Sequence, residues 1–187
     1  MRSLDGLTAE QKQMVQAVAS LLQEEDPQDV ARNLGLSLAM VNHAADDLIR
    51  PEHLKPCLER MAVDFGFVGQ MEFPFPLGVG TKAYTPDCVW FADGVPLETV
   101  VAIFEIEADT SPKHRAGGVA FANFVGLRRP NRVRFFAITP RKHQVVMENT
   151  VQLFAGNLAE KWCLGAVVIP SFSPAVIRKM VRAAFSG

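Results

Sequence analysis

A chain of 187 residues, 49% of them hydrophobic, is long enough to enclose one substantial core and too apolar to stay disordered. No apolar run approaches the roughly 18 residues of a membrane span. Met-Arg-Ser-Leu-Asp at the start leads into a polar stretch rather than an apolar leader, so the expectation is a cytoplasmic protein with no membrane partner. The net charge of −1 hides a segregation. Up to Asp109 the chain carries 7 Lys+Arg against 18 Asp+Glu, and the remainder carries 12 against 2. Three widely spaced cysteines, Cys57, Cys88 and Cys163, form no CxxC pair and read as buried free thiols rather than zinc ligands.

In chain order, the first element is helical. Thr8 with Gln11 resembles a capping box, and Met14, Val15, Val18, Leu21 and Leu22 recur at helical spacing, predicting a helix over 8–24. Asp26-Pro27 opens a second helix over 27–33 that stops at Gly35, and Ser37 caps a third that buries Met40, Val41, Ala44, Ala45 and Leu48. The stretch 30–48 resembles a helix-turn-helix, with Ala31 at the crossing, Gly35 in the turn and Val41 in the second helix. Asn42 and His43 are its candidate base-reading residues. Asp46 and Asp47 on the same helix would repel a phosphate backbone, so packing or a dimer contact is the alternative role of this unit.

Arg50-Pro51 ends the first unit, placing a boundary after residue 50 and an α/β part over 51–187. A helix over 56–65 comes next, then strands over 69–77, 84–91 and 99–107, the last rich in β-branched residues. Ser111-Pro112 starts a helix to 127, followed by a strand over 132–139, a long helix over 141–162, a strand over 164–170 and a terminal helix over 173–185. The order α-β-β-β-α-β-α-β-α predicts a mixed sheet flanked by helices.

The candidate chemistry lies in the acids. Side chains alternate along a strand, so Glu105 and Glu107 share one face of the third strand while Phe104 and Ile106 enter the other. The reversal around Gly94 brings Asp87, just after Pro86, towards them. Three carboxylates at one sheet end are costly unless a cation offsets them, and oxygen ligands suit Mg²⁺ or Mn²⁺. A solvated strand face is the plain alternative. Between Asp109 and Glu148, Lys113, Arg115, Arg128, Arg129, Arg132, Arg134, Arg141 and Lys142 stand without an intervening acid, a concentration of charge that suits DNA. A basic face meeting an acidic partner would look the same in sequence.

Pro86-Asp87, then Glu105-Ile106-Glu107 in a strand followed by a helix and another strand, resembles the PD-(D/E)xK restriction-endonuclease-like superfamily over residues 52–171. The resemblance implies a restriction-endonuclease-like α/β fold behind a small all-helical unit. It also implies metal-dependent hydrolysis of DNA phosphodiester bonds, with Asp87 and Glu105 as ligands. Glu107 occupies the position of the superfamily's lysine and cannot supply its positive charge. It would act as a further ligand or as a base for the attacking water. Lys113 or Arg115 on the following helix are candidates for the lysine's role, and Glu59, Asp64 or Glu72 for completing the metal shell. Cutting both strands would call for a homodimer. Two other readings stay open: a nuclease-derived module that binds without cutting, and a dimeric regulator that reads DNA through its helix-turn-helix.

Overall fold

The computed structural model describes residues 8–76, 83–93, 99–108, 133–155 and 163–186. Its helices are α1 (Ala9–Leu21), α2 (Pro27–Leu34), α3 (Leu38–Leu48), α4 (Pro51–Asp64), α5 (Gln144–Ala155) and α6 (Pro174–Ser186). Its strands are β1 (Val68–Met71), β2 (Cys88–Phe91), β3 (Val100–Ile106), β4 (Val133–Ile138) and β5 (Cys163–Ile169). Two compact units result, residues 1–50 with 171–187, and residues 51–170. The predicted helix over 112–127 lies outside the described residues. Among the described residues no helix is long and apolar enough to cross a membrane.

The helical unit forms for local reasons. The Asp26 carboxylate accepts from the Gln28 amide at 2.9 Å, and Pro27 opens α2 where a missing N–H is harmless. Gly35, at φ 65°, closes α2 in the left-handed region that glycine adopts without a Cβ clash. Ser37 Oγ accepts from the Met40 amide at 3.3 Å and starts α3. Val30, Ala31, Val41 and Ala45 are buried between the helices, while Met40 stays exposed, against the expectation that it is buried. At the C-terminus the sequence expectation, 51–187 as one part, differs from the structure. Ser173 Oγ donates to the Leu22 carbonyl at 3.1 Å, satisfying an acceptor that the end of α1 leaves open, and Lys179 Nζ lies 3.5 Å from Asp26. Ile177 and Val181 of α6 are buried, so residues 171–187 belong with the first unit.

In the second unit, α4 starts at Pro51, five residues before the predicted start. Pro51 tolerates the first helical turn, and Pro56 is carried inside the helix although its ring removes a backbone donor. The five strands stand in the order β1-β2-β3-β4-β5, with β2 antiparallel to both of its neighbours, β1 and β3, and with β3, β4 and β5 parallel. The structure is thus an α/β protein with a mixed five-stranded sheet and helices on both faces. β1 and β2 are shorter than predicted. Beyond them Phe75 and Tyr84 continue the pairing only as an isolated bridge.

One face of the sheet carries Trp90, Phe104 and Phe136, with ring centroids 4.7 and 4.8 Å apart in sequence. α4 covers this face, and the Trp90 indole donates to the Leu58 carbonyl at 2.9 Å. Gly69 of β1 permits the approach, because a Cβ there would lie 2.5 Å from the Glu59 carbonyl oxygen. The opposite face buries Val89, Ile103, Phe135 and Ala137 with Met147 and Val151 of α5 and with Phe75 and Tyr84. The predicted helix over 141–162 opens with a 3-10 turn at Arg141–His143 before α5 begins. Cys88 is buried, as expected, but Cys57 is only half-buried; both are free thiols.

Candidate functional site

The acids come together through strand register. Met71 pairs with Cys88 and Cys88 with Phe104, so one step further along each strand sets Glu72, Asp87 and Glu105 in a row across β1, β2 and β3. Two hydrogen bonds hold that row. The Glu72 amide donates to the Asp87 carbonyl at 3.3 Å, and the Ile106 amide donates to Asp87 Oδ2 at 2.7 Å. Glu72 adopts φ 51°, a left-handed conformation costly for a residue with a Cβ, where β1 ends. Alternation puts Asp87, Glu105 and Glu107 on the Val89–Ile103 face, while Phe104 and Ile106 are buried on the other, as the strand pattern predicts.

Two side chains outside the predicted set complete the arrangement. Lys55 of α4 places Nζ 2.7 Å from Glu72 Oε1 and 2.8 Å from Asp87 Oδ1. Burial alone would lower its pKa, but the hydrogen bonds and charges of Asp87 and Glu72 outweigh that and raise it, so Lys55 is a fixed cation. Its hydrogen bond and charge hold the Glu72 carboxyl below the usual range. Tyr84 donates its hydroxyl to Glu105 Oε1. Burial, reinforced by Glu105, Asp87 and Glu107, pushes the Tyr84 phenol well above its ordinary pKa and keeps it protonated as a donor.

Glu105 carries the electrostatic cost of the site. Its pKa rises to about 8, first through burial and then through the charges of Asp87 and Glu107, against the opposing effects of Tyr84 and Lys55. Burial is the largest of these causes, and the two neighbouring carboxylates add to it. Asp87, with Oδ1 on Lys55 and Oδ2 on the Ile106 amide, and Glu105, turned to Tyr84, each have an internal partner. Among the described residues no group of three or more His, Cys, Asp or Glu side chains is disposed to hold a metal ion. The expected ligand trio of Asp87, Glu105 and Glu107 is therefore close in space but not gathered as one metal cage.

The remaining candidates are distributed unevenly. Arg141 and Lys142 are exposed on the turn after β4. That turn stands at the same sheet end as Glu107, whose amide donates to the Ile138 carbonyl at 2.8 Å and whose carbonyl accepts from Thr139 Oγ1 at 3.1 Å. Arg134 is not brought to the acids. It pairs with Ala102, shares the Phe136 side of the sheet, and lies three residues, about 10 Å, from Ala137, the β4 partner of Glu105. Glu59 influences Cys88 on the Trp90 face, and Asp64 is exposed at the end of α4, so neither joins the row, whereas Glu72 does. Asn42 is half-buried on α3, and His43 is exposed with Nε2 3.4 Å from Asp47. Lys113, Arg115, Arg128, Arg129 and Arg132 lie outside the described residues. No family model, curated protein or solved structure matches this chain.

A sequence signal for Lys55 exists. It sits one residue after Leu54 and three before Leu58, both fully buried, which is the border of the helix's inner face. It is also one of only 7 Lys+Arg within the acidic first 109 residues. Tyr84, the chain's single tyrosine, lies three residues before Asp87 at the start of the predicted second strand.

Proposed function

We propose that this chain is a metal-dependent DNA endonuclease of the restriction-endonuclease-like type, hydrolysing phosphodiester bonds. The observation that carries the reading is the register that sets Asp87 opposite Glu105, with Glu107 near enough to raise the Glu105 pKa. Mg²⁺ commonly takes one or two carboxylates and completes its shell with waters and substrate phosphate, so a pair of acids fits the group chemically where a cage of three is not found. Asp87 and Glu105 would hold the ion, with Mg²⁺ or Mn²⁺ the natural choices for an all-oxygen donor set. When bound, such an ion polarises the phosphoryl oxygens and steadies the departing 3′ oxygen. The protein's own side chains do the rest. Tyr84 orients Glu105 through its hydroxyl, Glu107 offers a carboxylate as base for the attacking water, and Arg141 and Lys142 present positive charge to the DNA backbone.

A second reading, a nuclease-derived module that binds DNA or regulates without cutting, draws on a different observation. Lys55 and Tyr84 already satisfy the carboxylates. The deciding experiment is incubation with supercoiled plasmid, single-stranded DNA and branched DNA in Mg²⁺ or Mn²⁺. The endonuclease reading expects cleavage that Asp87→Ala and Glu105→Ala each reduce by about 100-fold or more. Absence of cleavage with either metal, together with unchanged DNA binding by Glu105→Ala, would leave the binding module as the function.

A further inference from the structure

We infer that Lys55 supplies, from α4, the positive charge that the strand's second glutamate cannot, and that it does so as a positioning residue for Asp87. The inference rests on the endonuclease reading for its catalytic consequence, but the contact itself does not depend on that reading. Lys55 is half-buried, with its side chain 24% exposed, and its ammonium lies 2.7 Å from one carboxylate of the row and 2.8 Å from the next. The partner oxygen is Asp87 Oδ1. The other oxygen, Oδ2, is held at 2.7 Å by the Ile106 amide, so the carboxylate is fixed from two directions, one a backbone group of β3 and one a cation from the covering helix.

Three features make this more than a surface ion pair. A surface lysine loses much of its attraction to solvent and pays entropy to hold one geometry. Here Asp87 is only 20% exposed, and α4 is seated against the sheet by the Gly69 contact and by the Trp90 bond to the Leu58 carbonyl. The base of the Lys55 side chain is thereby fixed. The same ammonium also binds Glu72, whose left-handed backbone turns the chain at the end of β1. Finally, among the described residues Lys55 is the cation in contact with this row, with its ammonium between the carboxylates of Glu72 and Asp87. A phosphodiester entering such a place meets repulsion unless a cation stands there. Lys55 stands in contact with two carboxylates of the row.

The test uses the full chain and the variants Lys55→Met, Lys55→Arg, Asp87→Asn and the double variant Lys55→Met/Glu72→Gln. On supercoiled plasmid in Mn²⁺, Lys55→Met is expected to lower kcat by about 100-fold while KM for DNA stays within about threefold, because the Asp87 carboxylate loses the contact that fixes it rather than general affinity for DNA. Lys55→Arg, which keeps the charge, is expected to recover at least a tenth of the wild-type rate. A Lys55→Met enzyme that cleaves within threefold of wild type overturns the inference. If Lys55→Met does not fold, the double variant, which removes one charge of each sign, takes its place with the same two outcomes. If the wild type cleaves nothing, the endonuclease reading falls, and the inference is judged in metal-free protein by the coupling of Lys55→Met with Asp87→Asn in urea unfolding. A non-additive effect of at least fivefold in the unfolding equilibrium supports it, and additivity overturns it.

Discussion

Glu105→Gln removes a single ionisation from the centre of the acidic row while keeping the oxygen that accepts from Tyr84. In the metal-free protein the folded-state pKa of Glu105 is about 8, against an ordinary value of 4.5. A carboxyl raised in this way contributes stability that is present below about 4.5 and is lost as the pH rises through about 8, because the unfolded chain releases the proton first. Each pH unit in that window corresponds to about 1.4 kcal/mol, so between pH 5 and pH 8 the wild type should lose on the order of 3 kcal/mol through this group. Glutamine cannot ionise and should lose none of it. Urea unfolding in EDTA at the two pH values reads the difference directly. Glu105→Gln should gain about 3 kcal/mol on wild type between pH 5 and pH 8. The raised Lys55 pKa does not intrude, because that group is charged in both states throughout this window and its contribution is lost only in more alkaline solution. A stability gap that moves by less than about 0.5 kcal/mol between the two pH values would refute the burial and repulsion ascribed to Glu105.

Three further outcomes are expected. Gly69→Ala puts a methyl group 2.5 Å from the Glu59 carbonyl oxygen and 2.7 Å from its Cα, both backbone atoms, and should cost about 1–3 kcal/mol by chemical denaturation, with Trp90 fluorescence shifting as α4 is pushed away. Tyr84→Phe leaves Glu105 Oε1 without its donor and should destabilise the metal-free protein by about 1.5–3 kcal/mol at pH 9, where the carboxyl is ionised, and by less at pH 5; thermal unfolding at both pH values checks the trend. Ser37→Ala removes the acceptor for the Met40 amide at the start of α3 and should cost about 1 kcal/mol, read as a loss of helical circular dichroism at lower urea than wild type.

The elements with a local cause were legible in the sequence. Asp26-Pro27, Gly35 and Ser37 act on their own neighbours, and the structure puts a cap or a stop at each. Alternation along β3 was equally plain, since Phe104 and Ile106 are buried and Glu105 and Glu107 share the other side. What the sequence did not disclose depends on contacts between distant segments. Lys55 and Asp87 are 32 residues apart, and their meeting depends on the absence of a Cβ at Gly69, which no periodicity reports. Glu72 shared its candidacy with Glu59 and Asp64 because its place in the row depends on the turn at the end of β1, where its φ of 51° departs from strand geometry. Pro51 and Pro56 looked like helix punctuation, but one occupies a first turn and the packing of Leu54, Leu58, Met61 and Ala62 carries the helix through the other. Arg134 illustrates the converse: composition grouped it with the other cations, and strand register sends it to the other side of the sheet from the acids.

Lys55, Glu72, Tyr84, Asp87, Glu105 and Glu107 all belong to one continuous run of chain, from α4 through β3, in which the bonded side chains are 17 to 21 residues from their partners for Glu72, Ile106 and Tyr84. Loops of that length close at modest entropic cost, and neither β4 nor β5 contributes a side chain to these bonds. In a folding chain the helix and meander can therefore bring the opposing charges together before the parallel half of the sheet docks. The bonded row is thus a property of α4 and the antiparallel half of the sheet, and substitutions confined to β4 or β5 reach it only through packing.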